Sequence, residues 1–301
     1  MRLRVQSDAV NTIVGNDWKG IVDISPRVGK SKILIDAIRE KTLWKVVICS
    51  PYRSIQDSWE KEFEKWGLEY EVGNICSRSL SKIPRGLDLL VVDEIQTLSP
   101  NQIAWILKKA PRRVLGLTGT LAPETKYELS ATLGIKPIFT YSINQAIRDG
   151  IISNFEVVLV GCALDVVHRT VPSGTRAKPT VTTEKGHYDF LTAQFEKFKR
   201  LSFGDASFIP IKENYARQRM HFIYGARRKT GIARRIVDAQ DRCIVFSGRK
   251  ETSEYLCEHT YHTGNKKENN LEKFIDGDID KLGVINMVNM GGRCAQIHLI
   301  R

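Results

Sequence analysis

Between residues 19 and 120 the sequence alternates short apolar runs with helix-like segments, and this alternation limits the possible folds more than any other feature. The runs are KGIVDIS, KVVICS, LDLLVVDE and RRVLGLTGT, separated by segments such as GKSKILIDAIREKT and SIQDSWEKEFEKWG. In the last of these, we interpret one apolar stripe as a core-facing surface: Ile55, Trp59, Phe63 and Trp66. Strands joined by crossover helices form a parallel sheet covered on both faces, so the sequence predicts an α/β fold.

The second half of the chain alternates in the same way after a different stretch. A helix over YSINQAIRDG is expected to end at Gly150, and a strand is expected over residues 155–160. TVPSGTRAKPTVTTEKG predicts an exposed loop or hairpin, and a long basic helix is expected over residues 213–239. RCIVFSG, YHTG, KLGVINMV and AQIHLI are then expected strands. The pattern predicts a second α/β domain in tandem with the first.

Residues 23–32, DISPRVGKSK, contain the end of a phosphate-binding loop. The full pattern is G-x-x-x-x-G-K-[ST]; Gly29, Lys30 and Ser31 match its end, and Ile24 stands in place of the first glycine. The stretch follows an expected strand and opens an expected helix, which directs backbone N–H groups and a helix N-terminus at phosphates. We therefore predict that Lys30 reaches the β- and γ-phosphates of a nucleotide and that the Ser31 hydroxyl binds Mg²⁺.

An acidic pair, Asp93 and Glu94, follows the apolar run at residues 89–92. ATP hydrolysis needs a carboxylate for the metal and a base for the attacking water. We expect Asp93 to hold Mg²⁺ through water and Glu94 to orient and deprotonate the attacking water. The GKS stretch alone, or an acidic pair alone, is common at the solvent-exposed end of a strand. The two stretches together, in this order, favour a site for ATP and Mg²⁺.

The charge balance favours a polyanionic partner. The chain has 46 Lys and Arg residues against 34 Asp and Glu residues, a net charge of +12 and a pI near 9.4. A basic surface without a specific role is the alternative.

No apolar run approaches the length of about 18 to 20 residues that a membrane-spanning helix needs, and the N-terminus does not resemble a signal peptide, so a cytoplasmic protein is expected. Six cysteines without a C-x-x-C pair predict reduced, mostly buried thiols.

GKS, DEIQ and LTGTLA, in this order and spacing, resemble motifs I, II and III of superfamily 2 helicases, the DEAD/DEAH-like nucleic-acid motors. The resemblance covers about residues 3–300. It implies two RecA-like parallel-sheet domains with ATP bound in the cleft between them, and it adds Arg27 and Val28 to the nucleotide-binding residues. It also implies that four residues link the cleft to nucleic acid: Gln96, Thr118, Gly119 and Thr120.

Three shorter stretches are similar to further motifs of this family. LRVQ resembles the R-x-Q element that reads adenine, which makes Gln6 a candidate base contact. CSPYRSIQDSW resembles motif Ia, which implies contacts with the tracked strand from Pro51, Tyr52 and Arg53. IVFSGRKETSEYL resembles motif IV, with Ser247 and Arg249 near nucleic acid.

The last stretch is similar to the approach to motif V, with Asn286 and Gly292 in motif positions and Cys294 where an Asp is frequent. A Q-x-x-G-R-x-x-R stretch, the sixth motif, does not follow, so the second domain is expected to be incomplete. That motif carries the arginine finger, which stabilises charge on the transferring phosphoryl group. Either a second chain or a further C-terminal segment supplies this arginine, or the chain hydrolyses ATP poorly. Arg293 is a substitute candidate, although an ordinary surface arginine is the favoured interpretation of it.

The expected organisation is a first helicase domain over residues 1–137, a linker over 138–152 that resembles phage and restriction-type members, and a second domain over 153–301. The resemblance implies an ATP-dependent translocase or helicase acting on DNA rather than RNA, in the host cell cytoplasm if the protein is phage-encoded. The alternative is an ATP-binding DNA clamp or motor subunit that does not unwind by itself. An unrelated small-molecule kinase is disfavoured by LTGT and by the second α/β half.

Overall fold

A computed structural model describes residues 1–40, 45–68, 72–175, 178–262, 264–265 and 268–285. By its contacts the chain separates into two compact units, Met1–Val157 and Val158–Arg301. Each unit contains a parallel sheet with helices, so the expected α/β architecture is confirmed.

The first unit is built on a six-stranded parallel sheet with the strand order β3-β2-β4-β5-β1-β6. The strands are β1 (Gly20–Ile24), β2 (Val46–Ser50), β3 (Val72–Cys76), β4 (Leu89–Asp93), β5 (Val114–Thr118) and β6 (Pro137–Tyr141). Every residue of β2 and of β4 is buried. Continuous apolar runs are typical of parallel strands covered on both faces, which explains why the sequence pattern located these two strands.

Helices cover both faces of this sheet. They are α1 (Arg2–Gly15), α2 (Lys30–Arg39), α3 (Arg53–Trp66), α4 (Pro100–Lys109), α5 (Pro123–Leu133) and α6 (Ile143–Arg148). Alternate strand residues enter different hydrophobic clusters: Ile48 of β2 packs with residues of α1, α2 and α3, whereas Val47 packs with residues of α4 and α5. Successive side chains of a strand point to opposite faces, so the two clusters form two core layers.

Two parts of the first unit were not anticipated as sheet strands. β3 is only partly buried along its length and lies at one edge of the sheet. β6 lies at the other edge and pairs in parallel with β1. It overlaps the start of the stretch expected to be the linker, residues 138–152. Edge strands with mixed burial lack the continuous apolar run that marks a central strand.

The second unit contains a smaller parallel sheet with the order β10-β11-β9 and a separate antiparallel hairpin. The hairpin consists of β7 (Val171–Thr175) and β8 (Lys178–Thr182), as TVPSGTRAKPTVTT predicts. The sheet strands are β9 (Cys243–Ser247), β10 (His259–Tyr261) and β11 (Lys281–Ile285). The helices are α7 (Glu184–Leu201), α8 (Ile209–Tyr224), α9 (Arg227–Asp238), α10 (Lys250–Leu256) and α11 (Asn270–Asp276). The expected strand AQIHLI lies outside the described residues.

The predicted strand over residues 155–160 is wrong. The structure has no strand there, and its apolar side chains are exposed, with Leu159 at 90% of its full accessibility. An apolar run forms a strand only when another strand offers backbone partners, and none of the described strands pairs with this stretch.

The single basic helix predicted over residues 213–239 is also wrong, because α8 ends at Tyr224 and α9 begins at Arg227. At the break, a Cβ on Gly225 would lie 2.4 Å from a guanidinium nitrogen of Arg249. On the other side, a Cβ on Gly248 would lie within 2.7 Å of the Tyr224 ring. Gly225 packs closely against Arg249, and Gly248 packs closely against Tyr224, so the helix is interrupted where these contacts are made. Each contact joins residues that are distant in sequence, so the local pattern does not predict the break.

No helix among the described residues is long and apolar enough to cross a membrane.

The cysteines provide a test of the two cores. Cys49, Cys243 and Cys257 are buried, whereas Cys162 is exposed. Burial raises the pKa of the Cys49 thiol to about 12 and that of Cys257 to about 11, and it also raises the pKa of Cys243.

Since the thiolate is the reactive form, we expect iodoacetamide at pH 8 to label Cys162 in the folded protein, and to label Cys49, Cys243 and Cys257 only after unfolding. Peptide mass spectrometry measures this, and rapid labelling of native Cys49 would contradict the packing described.

Candidate functional site

The carboxyl ends of three neighbouring strands bring the candidate site residues together. β4, β5 and β1 lie side by side and run in the same direction. The turns that follow them therefore meet at one edge of the sheet, the edge at which open α/β sheets bind ligands. These turns hold the predicted phosphate loop, the acidic pair and the LTGT stretch.

The loop between β1 and α2 adopts a backbone that few residues tolerate. Arg27 has a φ of 66° and Gly29 a φ of 104°, both in the left-handed region. Gly29 also makes a close approach, because a Cβ there would lie 2.6 Å from Nε2 of Gln6. α2 begins directly after Gly29, at Lys30. Only a residue without a side chain fits both demands, which explains the glycine at this position.

Gln6 lies on α1 and is buried against this loop. Its Nε2 donates a hydrogen bond of 2.7 Å to the carbonyl oxygen of Val28. The structure thus brings Gln6, Val28 and Gly29 together, as expected for one site. Its role as an adenine contact stays a prediction.

Lys30 and Glu94 form an ion pair, with 2.9 Å between Nζ and Oε1. The other carboxylate oxygen of Glu94 accepts a hydrogen bond of 2.7 Å from Nε2 of Gln96. Glu94 itself has a φ of 50°, and the Thr97 hydroxyl donates to its carbonyl oxygen at 2.8 Å. The turn after β4 is therefore held in a strained conformation that directs the Glu94 side chain at the start of α2.

Asp93 is 8% exposed at the end of β4, and both of its carboxylate oxygens accept hydrogen bonds. Oδ1 accepts from the backbone N–H of Glu94 and Oδ2 from the indole N–H of Trp59, each at 3.0 Å. Burial raises the pKa of the Asp93 carboxyl above its usual range, although the Lys30 charge and the Trp59 hydrogen bond act in the opposite direction. Trp59 belongs to the apolar stripe of α3 that the sequence predicts as a core-facing surface, so one member of that stripe also hydrogen-bonds to the acidic pair.

Asp23, the fourth residue of β1, is a further carboxylate that the site assignment from sequence missed. Burial raises the pKa of Asp23, and the charge of Lys30 partly offsets that rise. A charged residue inside the otherwise apolar run GIVDI was the available signal.

The LTGT stretch lies against the phosphate loop. The buried Thr118 hydroxyl accepts a hydrogen bond of 3.1 Å from the backbone N–H of Thr120. A Cβ on Gly119 would lie 3.4 Å from the carbonyl oxygen of Ile24 and 3.4 Å from Cδ of Pro26. The close approach of these two turns requires a small residue at Gly119.

The residues of the motif Ia stretch occupy the turn between β2 and α3, at the same edge of the sheet. Pro51 is buried, and its carbonyl oxygen accepts a hydrogen bond from Sγ of Cys76. Tyr52 is the N-cap of α3, and Arg53, the first helical residue, is exposed. α3 connects this turn to Asp93, because it carries Trp59.

In the second unit, Ser247 ends β9 and its hydroxyl donates a hydrogen bond of 2.8 Å to the carbonyl oxygen of Arg249. Nε of Arg249 lies 3.4 Å from a carboxylate oxygen of Glu251. A cavity of about 430 Å³ is lined by Gly225, Arg227, Thr230, Arg249, Glu251, Thr252 and Tyr255. Arg227, at the start of α9, is a cationic residue that the motif comparison missed. Asn286 and Gly292 lie outside the described residues, as do Arg293 and Cys294.

The residues in the first unit fit a nucleoside triphosphate with Mg²⁺. Lys30 provides an ammonium group, the partly exposed Ser31 provides a hydroxyl one residue further along α2, and Asp93 and Glu94 provide carboxylates. Hydroxyl and carboxylate oxygens are the protein ligands that Mg²⁺ prefers. The start of a helix that follows a glycine-rich turn suits phosphate groups.

No family model and no curated protein matches the chain. Among solved structures, the Hef helicase domain of Pyrococcus furiosus has a TM-score of 0.50 and 12% sequence identity, over 95% of this chain and 85% of that one. S. cerevisiae Dbp5 bound to RNA and ADP BeF3 has a TM-score of 0.50 and 11% identity, over 95% of this chain and 71% of that one. The UvsW helicase from bacteriophage T4 has 17% identity and a TM-score of 0.41. The match covers 46% of this chain and 59% of that one. At such identities the likeness shows the fold alone, which is a RecA-like α/β fold built on parallel sheets.

Gly29→Ala tests the loop geometry. The added Cβ would meet Gln6 at 2.6 Å and would hold an L-residue at a φ of 104°. Strain of this kind costs about 1–3 kcal/mol, so nucleotide affinity is expected to fall about tenfold or more. Fluorescent-nucleotide titration measures the change. Gly15→Ala is the matched control, because nothing lies within 4 Å of a Cβ there, and equal affinities for the two variants would contradict the assignment.

Proposed function

We propose that this protein is an ATP-dependent nucleic-acid translocase or helicase that acts on DNA. The observation that carries the proposal is the Lys30–Glu94 ion pair beside the buried Asp93, at the carboxyl edge of a sheet with the RecA-like fold. This group supplies one cation for phosphates, one carboxylate for a metal and one carboxylate for water.

Lys30 would bind the β- and γ-phosphates of ATP, and Ser31 and Asp93 would hold Mg²⁺, which neutralises phosphate charge when bound. Lys30 lies 2.9 Å from Glu94 in this structure. Phosphates carry more negative charge than one carboxylate, so they would compete with Glu94 for Lys30. Glu94 would then accept a proton from the water that attacks the γ-phosphorus, which yields ADP and phosphate.

Nucleic-acid binding is supported by the charge of the second unit and by the position of its arginines. Residues 158–301 include 24 Lys and Arg residues against 16 Asp and Glu residues. Arg227 and Arg249 line one cavity, and Arg53 is exposed in the first unit. Contacts of this kind bind backbone phosphates, so we expect binding to be independent of base sequence and sensitive to salt. The motif resemblance to phage recombination and restriction motors favours DNA over RNA.

The direct test is steady-state ATP hydrolysis with and without single-stranded and forked DNA, together with nucleotide binding by calorimetry. We expect DNA to stimulate turnover many-fold. ATP binding with turnover at background in the presence of DNA would contradict a motor and would fit an ATP-binding clamp or a subunit that needs an arginine from another chain. Stimulation by RNA alone would contradict the proposed track.

Two substitutions separate binding from hydrolysis. Lys30→Ala removes the phosphate cation, so we expect loss of ATP binding. Glu94→Gln removes the base and leaves Lys30 in place, so we expect ATP binding with turnover reduced by about 10²–10⁴-fold. Lys32→Ala is the control, since Lys32 lies on the same helix and pairs with Asp36 instead. Full hydrolysis by either site variant would refute the assignment.

Arg249→Gln tests the second unit. We expect weaker DNA binding and a salt dependence, as log K against log salt, that is shallower by about 0.7–0.9 because one phosphate contact is lost. Arg235→Gln is the control, because Arg235 is exposed on α9 and does not line the cavity. Fluorescence anisotropy over a range of NaCl concentrations measures both, and identical slopes for the two variants would contradict a phosphate contact at Arg249.

A further inference from the structure

Trp59 makes two kinds of contact that serve different purposes. The residue is 3% exposed and packs in the core, with the centroid of its ring 5.8 Å from that of Phe63. Its indole N–H donates a hydrogen bond of 3.0 Å to Oδ2 of Asp93, a residue 34 positions further along the chain. A phenylalanine would fill most of the same space without this hydrogen bond, so packing alone does not require a tryptophan here.

The indole hydrogen bond completes the fixation of the Asp93 carboxylate. Oδ1 is already held by the backbone N–H of Glu94 at 3.0 Å, and Trp59 holds Oδ2. With a donor on each oxygen, the plane of the carboxylate is set from two sides. One donor is the backbone N–H of Glu94, the residue that follows Asp93, and the other is the side chain of Trp59 on α3. The orientation of Asp93 therefore depends on the position of α3.

α3 starts at the turn that the proposed function assigns to nucleic acid. Arg53 is its first residue and Tyr52 its N-cap. Trp59 lies six positions after Arg53, which is about 9 Å along an α-helix. One helix therefore carries both a proposed DNA contact and the donor to Asp93, and a shift at its first turn moves the indole as part of the same rigid element.

A second contact fixes the same helix to the sheet. Gln56 and Asn74 of β3 exchange two hydrogen bonds: Nε2 of Gln56 donates to the Asn74 carbonyl at 3.0 Å, and Nδ2 of Asn74 donates to the Gln56 carbonyl at 2.9 Å. Gln56 lies between Arg53 and Trp59. α3 is thus tied to an edge strand at its first turn and to the catalytic edge one turn later.

We propose that Trp59 is a positioning residue that holds the Asp93 carboxylate for Mg²⁺ and couples it, through α3, to DNA bound at residues 51–53. This inference rests on the proposed function of Asp93 and of the turn after β2. Residues that orient a metal ligand typically change metal affinity by about 10–100-fold when they are removed. The coupling requires that DNA act on the metal site without contact with it.

Trp59→Phe is the main variant, because it retains an aromatic ring in the core and removes the N–H donor together with part of the indole ring. Trp66→Phe is the matched control: Trp66 lies on the same helix, and its N–H donates to Glu62 at 2.8 Å. The first measurement is ATP hydrolysis against Mg²⁺ concentration, with and without single-stranded DNA. For Trp59→Phe we expect a half-saturating Mg²⁺ concentration at least about tenfold higher and a smaller stimulation by DNA, with unchanged affinity for ATP in the absence of Mg²⁺. Trp66→Phe should match the wild type.

The second measurement does not depend on turnover. The chain has five tryptophans, so 5-fluorotryptophan labelling gives a small set of ¹⁹F resonances, and the signal missing from Trp59→Phe identifies Trp59. We expect the Trp59 resonance to shift when single-stranded DNA binds in the absence of nucleotide, and to shift again with Mg²⁺ and a non-hydrolysable ATP analogue. The Trp66 resonance should respond less to both additions.

If Trp59→Phe does not fold, β-(3-benzothienyl)alanine at position 59 keeps the shape of the indole and replaces its N–H by sulfur. Wild-type Mg²⁺ dependence and wild-type DNA stimulation in either folded variant would overturn the inference. So would a Trp59 resonance that DNA leaves unchanged. Asp93→Asn separates a failure of this inference from a failure of the proposed function. Wild-type ATP hydrolysis by Asp93→Asn would refute the site itself. Loss of hydrolysis in Asp93→Asn, together with wild-type behaviour of Trp59→Phe, would refute only the role of Trp59.

Discussion

Parallel pairing of β4, β5 and β1 is the constraint on which the candidate site depends. The interior of β4 is apolar: Leu89 to Val92 are almost fully buried, and the first charged residue is Asp93, at the end of the strand. Charged groups are stable only where the strands end and water or another charge becomes available. Since parallel strands end at the same edge, the sheet collects Asp93, Glu94, Lys30 and Thr118 at one place.

The charges at this edge are unbalanced in a way that suits a metal–phosphate ligand. Lys30 pairs with Glu94 and also lowers the pKa of Asp23 and Asp93, while burial raises both. One ammonium group thus faces three carboxylates. A divalent cation that arrives with a triphosphate adds positive charge beside the carboxylates and negative charge beside the lysine, so it relieves both sides of the imbalance.

Much of this architecture could be predicted from the sequence, because the central strands and the glycine–lysine loop are local patterns. The apolar run before Asp93 located β4, and the GKS stretch located the start of α2. The failures share a physical cause. The strand expected at residues 155–160, the missed edge strand β3 and the break at Gly225 are each decided by partners far along the chain. Trp59 shows the same limit within the site: periodicity predicted a core face correctly, but the periodicity of a helix contains nothing about a hydrogen bond to Asp93.

The strand order also has a consequence for the synthesis of the chain. β2, β3 and β4 are consecutive in sequence and adjacent in the sheet, so they can assemble early. Among the described strands, the partners of β1 are β5 and β6, with Gly20 opposite Leu115 and Ile24 opposite Tyr141. The first strand to leave the ribosome therefore waits for about a hundred further residues before it finds a partner, at roughly 5–20 residues per second. The phosphate loop that follows β1 therefore has both of the strands beside it only after β5 and β6 have been synthesised.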